Sequence, residues 1–122
     1  MSFLAQVKKA TPQAPVITIV GFAGAGKSSL AGLFPNPIFI QAENSATVFE
    51  TMQGDIQPAF FPQLPSPHAS AKRTVKTSEV LFEQLRELVT EQHEFKTVVI
   101  DTITALNLLF EQEVVEFDNN PN

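Results

Sequence analysis

Between Val16 and Leu33 the chain changes character twice within eighteen residues. "VITIV" (Val16 to Val20) is β-branched throughout and shows no alternation, which suits a strand buried on both faces of a parallel sheet. "GFAGAGKSSL" (Gly21 to Leu30) then packs three glycines, a lysine and two serines into ten residues, and Leu30, Ala31 and Leu33 turn helical. Glycine is the poorest helix former after proline, so its concentration at the mouth of a helix needs a reason. Gly21, Gly26, Lys27 and Ser28 fit G-x-x-x-x-G-K-[ST] without a mismatch, in the strand–loop–helix setting that pattern requires. Backbone N–H groups turned inward around a triphosphate need unusual dihedrals and no obstructing side chains, and Gly21, Gly24 and Gly26 supply both. The expected nucleotide contacts are therefore Gly21, Phe22, Ala23, Gly24, Ala25, Gly26, Lys27, Ser28 and Ser29. In this pattern Lys27 reaches the β- and γ-phosphates, the Ser28 hydroxyl ligates Mg²⁺, and the helix start adds free N–H groups and a positive dipole end.

Four fixed positions arise by chance in a chain of this length about once in a few hundred, before the structural context is demanded. A dinucleotide-binding turn, G-x-G-x-x-G, fits less well. Glu43 lies near the right distance for its acidic residue, but counting from Gly24 and Gly26 the third glycine position holds Ser29, and Lys27-Ser28 goes unexplained.

The remaining pattern alternates strands with helices. The lead-in to "TPQAP" reads as an N-terminal arm over residues 1–15, with one domain over residues 16–122. The helix after the glycines should stop near Phe34, because Pro35 and Pro37 cannot continue it. "IFIQ" (Ile38 to Gln41) reads as a second buried strand, and a short helix is expected from Ser45 to Gln53, closed by Gly54. "QPAFFPQLPSPHASAKRTVKTS" holds four prolines and reads as loop, with "AFF" a short edge strand. Thr77 or Ser78 can cap a helix to about Gln92, whose stripe is Val80, Leu81, Leu85 and Leu88. "KTVVID" (Lys96 to Asp101) is a further buried strand. Ile103, Leu106, Phe110, Val114 and Phe117 then mark a final amphipathic helix. The fold class expected is α/β with a mainly parallel sheet.

Composition sets limits on function. Thirteen acids against eight bases give a net charge of −5, which argues against generic binding of a polyanion while leaving room for one triphosphate. Without cysteine there is no disulfide framework, thiolate metal site or thiol nucleophile. No apolar stretch approaches the roughly 20 residues that span a bilayer. Lys8 and Lys9 before the run Val16 to Ala25 imitate a signal peptide, but those residues satisfy the more demanding glycine pattern. A cytoplasmic protein with no membrane partner is the expectation.

A triphosphate site also needs an acid at the end of a neighbouring strand. Asp101 ends "TVVID", at the carboxyl edge where open α/β sheets bind ligands, and is the second Mg²⁺ partner, directly or through water. The plain alternative is an aspartate capping the helix near Thr102. Glu43 follows "IFIQ" by two residues at the same sheet edge and is the candidate to orient or deprotonate water. Its alternative is a solvated loop carboxylate.

Together "GFAGAGKSSL", "PIFIQAEN" and "FKTVVIDTITAL" resemble the RecA-like P-loop ATPases, and most closely the compact phage-encoded branch associated with single-strand annealing and recombination, with an AAA-type ATP-binding domain. The resemblance covers most of Val16 to Phe117. It implies a P-loop NTPase (RecA-like) three-layer sandwich, ATP and Mg²⁺ as ligands, and Lys27 and Glu43 as the catalytic residues. Asp101 becomes the Walker B acid, and Thr102 a polar neighbour of the γ-phosphate. Gln41 stands where that family has an acid and Asn44 where the phage branch often has glycine. RecA-like sheets insert a strand from later in the sequence between the Walker B and P-loop strands. Only a helix and "DNNPN" follow here, so the expectation is a C-terminally truncated sequence, or else direct pairing of the two strands as in kinases and GTPases.

Partners implied are a nucleoside triphosphate, single-stranded DNA and further copies of the chain, in a bacterial host if phage-encoded. The competing functions are a P-loop kinase of a small acceptor and a non-hydrolysing nucleotide-binding assembly module. Lys72, Arg73 and Lys76 form a basic cluster expected to be solvated loop, His68 and His93 look like surface residues, and the 11 phenylalanines are expected to be mostly core. Phe60 and Phe61 are the aromatic pair with base-stacking chemistry.

Overall fold

The computed structural model describes residues 2–22, 24–43, 58–70 and 74–118. Three parallel strands carry the fold: β1 (Pro37–Gln41), β2 (Ala59–Phe60) and β5 (Thr97–Asp101), in the order β2-β1-β5. β1 is central, pairing Ile38 with Ala59 on one side and Pro37 through Gln41 with Thr97 through Asp101 on the other. A two-stranded antiparallel ribbon, β3 (His68–Ala69) and β4 (Thr74–Val75), forms in the proline-rich stretch expected to be loop. The helices are α1 (Lys27–Ala31), α2 (Thr77–Thr90) and α3 (Ile103–Asp118), and a 3-10 turn spans Leu4–Gln6 in an otherwise exposed arm. The expected helix from Ser45 to Gln53, and Lys72 and Arg73, lie outside the described residues.

Alternation along β1 places apolar side chains on both faces of the sheet. Phe39 is fully buried with Ala31 of α1, joined by Ile19, Phe60 and Val99. Ile40 is fully buried on the opposite face with Leu64, Leu81 of α2 and Leu106 of α3. Helices therefore cover the central strand from both sides, as a continuous apolar strand demands. Phe60 tilts against Phe39 at 4.9 Å, and Phe61 packs on the second cluster, so both belong to the core. Phe3, Phe22 and Phe82 are exposed instead.

Val16 to Val20 departs from expectation. Val16 is 97% exposed, Ile17 and Val20 are exposed too, and no ladder bond forms along the run. β-Branched residues favour extended backbone, but a strand also needs an edge to pair with and a surface to cover. β1 is flanked on both sides, and the outer edge of β5 does not meet Val16 to Val20, so only Ile19 finds apolar partners. For the same reason β5 is not a fully buried strand: Val98 and Ile100 stay partly open at the flank of the sheet. α1 also ends sooner than expected, at Ala31. Gly32 follows it, and Leu33 and Phe34 continue only as single turns onto Leu30 and Ala31.

α2 and α3 join through a polar contact that local pattern does not reveal. The residue before α2, Lys76, offers no side-chain cap, and Thr77 turns its hydroxyl to the Pro65 carbonyl (2.7 Å). The cap comes from α3, where Glu113 accepts the Ser78 backbone N–H (2.9 Å) and the Ser78 hydroxyl (2.8 Å). A carboxylate at this end satisfies an otherwise orphan donor and opposes the helix dipole. Lys76 lies over the Phe117 ring at 5.1 Å, fixing the same face of α3. The inward stripe is accordingly Leu106, which is buried, with Leu109, Phe110, Glu113 and Phe117 half-buried, while Ile103 (61% exposed) and Val114 of the expected stripe face solvent. Replacing Glu113 with alanine should lower stability by about 1–2 kcal/mol and Glu113→Gln by about half as much, measured by urea unfolding. Equal stability of all three forms would dismiss the cap.

His93 lies beyond the other end of α2, with Nε2 at 2.8 Å from the Leu88 carbonyl and Nδ1 at 3.1 Å from the Phe95 N–H. No helix among the described residues is long and apolar enough to cross a membrane.

Candidate nucleotide site

The carboxyl ends of β1 and β5 lie side by side because Gln41 and Asp101 are partners in the parallel register. The chain leaving β1 stays on β5: Ala42 N–H donates to the Asp101 carbonyl at 2.8 Å and Glu43 N–H to the same oxygen at 3.3 Å. Glu43 is exposed there, one strand away from Asp101. The Asp101 side chain is buried, at 4% exposure. The peptide bond after it is cis, and Thr102 opens α3 with its hydroxyl accepting Ala105 N–H at 3.2 Å. The cap of this helix is thus Thr102 rather than Asp101, which leaves the Asp101 carboxylate available for another partner.

That partner is Ser28. Its hydroxyl donates to Oδ2 of Asp101 at 2.6 Å, across 73 residues of sequence. The glycine loop is delivered to this point by its backbone. Ala25 N–H closes a turn onto the Phe22 carbonyl (3.0 Å), and Gly24 and Gly26 take φ of +82° and +94°. A Cβ at either would meet nothing within 4 Å, so glycine is needed there for its dihedral and not for space. Gly26 in this left-handed conformation is the residue from which α1 starts, and Leu30 N–H returns to its carbonyl at 2.9 Å. Lys27 folds back over the loop, its ammonium donating to the carbonyls of Gly21 (2.6 Å) and Phe22 (2.9 Å). The loop is therefore pinned at two points, by Lys27 to its own entrance and by Ser28 to the end of β5. Ala23 lies outside the described residues.

The AAA domain family matches residues 13–120, nearly the whole chain. This chain belongs to the AAA domain family. No curated protein and no solved structure gives a significant match. Family membership carries nucleotide binding and ATPase activity as the coarse assignment, usually with Mg²⁺.

Within this AAA domain the side chains singled out from sequence converge unevenly. Ser28 and Asp101 touch, Glu43 is joined to Asp101 through the backbone, and Thr102 is adjacent to Asp101 but occupied with its own helix. Gly21, Phe22, Ala25 and Ser29 lie in or beside the loop that Lys27 and Ser28 hold. What sequence reasoning missed is the support beneath the end of β1. Gln41, noted only as a departure from pattern, is 7% exposed, and its Nε2 donates to the Phe61 carbonyl at 2.9 Å. Its one mark in the sequence is an amide at the end of the apolar run "IFIQ"; the register with Asp101 and the Phe61 carbonyl come only with the fold.

Proposed function

We propose that this domain binds ATP with Mg²⁺ at the glycine loop and hydrolyses it, as a RecA-like ATPase serving DNA recombination or repair in a phage or bacterial setting. The observation that carries the proposal is the 2.6 Å contact between Ser28 and Asp101. It joins the hydroxyl that follows the loop lysine to the acid ending a parallel strand, the pair of hard oxygen donors that Mg²⁺ accepts in phosphoryl-transfer sites. Three observations say the residues fit these ligands. The two oxygens are already together, Gly24 and Gly26 hold the positive φ values that an anion-binding backbone turn uses, and the space above them is open. Among the described residues no three His, Asp or Glu side chains cluster, so a cation at Ser28 and Asp101 would share its remaining positions with phosphate oxygens and water. Bound there, Mg²⁺ supplies charge neutralisation on the phosphate oxygens.

Lys27 exchanges its two loop carbonyls for β- and γ-phosphate oxygens. Glu43, exposed beside Asp101, holds the attacking water and takes its proton as the water oxygen bonds to the γ-phosphorus and the bridging P–O bond to the β-phosphate breaks. The RecA-like form is supported by the resemblance carried by "GFAGAGKSSL", "PIFIQAEN" and "FKTVVIDTITAL".

ATP turnover measured with and without single-stranded DNA, for wild type and Glu43→Gln, tests the proposal. Turnover stimulated by DNA and reduced about 10²- to 10⁴-fold by Glu43→Gln, with nucleotide affinity kept, is the expected result. Nucleotide binding without turnover would identify a non-hydrolysing module. Phosphate appearing on a small acceptor would identify a kinase.

A further inference from the structure

We propose that Gln41 is the positioning residue that sets Glu43 against the end of β5, an assignment resting on the ATPase reading above. The end of β1 is clamped from two sides. Toward β5, Ala42 and Glu43 give their N–H groups to the Asp101 carbonyl. Toward the segment after β2, Leu64 N–H donates to the Gln41 carbonyl at 2.8 Å, and the Gln41 side chain donates to the Phe61 carbonyl at 2.9 Å. Gln41 is therefore bonded to this segment by both its main chain and its side chain. Phe61 is itself fixed, its N–H on the Phe39 carbonyl at 2.9 Å and its ring in the core. The chain turns out of β1 two residues later, and Glu43 is exposed with no side-chain partner among the described residues. Its placement comes from the backbone that Gln41 anchors.

The amide chemistry is specific. A carboxamide has both donor and acceptor, whereas an ionised carboxylate only accepts and would face the Phe61 carbonyl with like polarity. Gln41 and Asp101 also stand on the same face of neighbouring strands, in register. An acid at position 41 would set a second buried carboxylate beside the first, while the neutral amide leaves Asp101 as the charge for the cation. Gln41 thus holds Glu43 in place without adding charge to the site.

The test uses the full chain with Gln41→Leu, which removes the donor, and Gln41→Met, which keeps the length of the side chain and abolishes donation without adding charge. Amide hydrogen exchange at Ala42, Glu43 and Leu64 should quicken about tenfold in both, with Leu81 and Leu106 unchanged. The turnover number should fall at least about tenfold while the nucleotide dissociation constant stays within about twofold. In a Glu43→Gln background the same changes should cost nothing further, because they act through Glu43. Full additivity in that background, unchanged exchange at Ala42 and Glu43, or a matching loss of affinity would each overturn the assignment. If Gln41→Leu fails to fold, Gln41→Met decides alone. A wild-type chain that binds no nucleotide would overturn the ATPase reading and the catalytic half of this one, and the exchange pattern would still decide the clamp.

Discussion

Lys27→Ala is expected to cut ATP turnover by about 10³-fold and weaken nucleotide binding by about 10²-fold, with little change in stability. The Lys27 ammonium sits on the carbonyls of Gly21 and Phe22, folded back over the glycine loop. Both carbonyls lie in exposed residues, and water can replace the ammonium on them, so the fold loses little. A triphosphate has no such substitute. It would lose the one cation that the loop supplies, at a point where the glycine backbone has excluded bulk and where charge stabilisation is worth most. Arginine should not rescue the function: its planar fork presents charge differently from a compact ammonium and needs more room within the loop. Titration calorimetry with ATP and a phosphate-release assay measure the two losses, and thermal unfolding measures the third quantity. Near-normal affinity in Lys27→Ala would remove Lys27 from the site. A collapse of stability would show that the lysine holds the loop for the fold and not for a ligand.

The candidate site was more legible in the sequence than the sheet around it, for a physical reason. Gly21, Gly26, Lys27 and Ser28 are a local pattern, since a backbone cradle must be written in consecutive residues, and Asp101 is marked by the β-branched run it ends. Strand pairing and helix rotation are decided elsewhere. "VITIV" carries every local mark of a buried strand, but whether it pairs depends on a free edge that no property of those five residues encodes. α3 has apolar residues on more than one side, so periodicity offers two stripes. The choice between them goes with Glu113 reaching Ser78 and with Phe117 beneath Lys76, contacts 35 and 41 positions apart in sequence. The two-residue strands β3 and β4 are too short for alternation to show at all. Gln41 was legible only as an anomaly. Its meaning required the Phe61 carbonyl, which comes twenty residues later.

The Ser28–Asp101 pair should respond unequally to the loss of either member, and that inequality separates a metal site from a structural hydrogen bond. Asp101→Asn keeps the shape, and its amide oxygen can still accept from the Ser28 hydroxyl, so stability should move by no more than about 1 kcal/mol. Ser28→Ala instead leaves a carboxylate at 4% exposure without the donor that now holds it, at a cost of about 1–3 kcal/mol. Turnover should rank the other way. Asp101→Asn removes the only charge of the pair and should abolish the dependence on Mg²⁺, with a loss of about 10²- to 10³-fold, whereas Ser28→Ala removes a neutral ligand that water can replace. A structural bond predicts that activity follows stability, so Ser28→Ala would be the worse enzyme. A metal site predicts opposite orders in the two measurements. Chemical unfolding and Mg²⁺-titrated turnover of the two variants and their double mutant decide between them. Ser28→Ala proving worse in both would show that Asp101 serves the fold first.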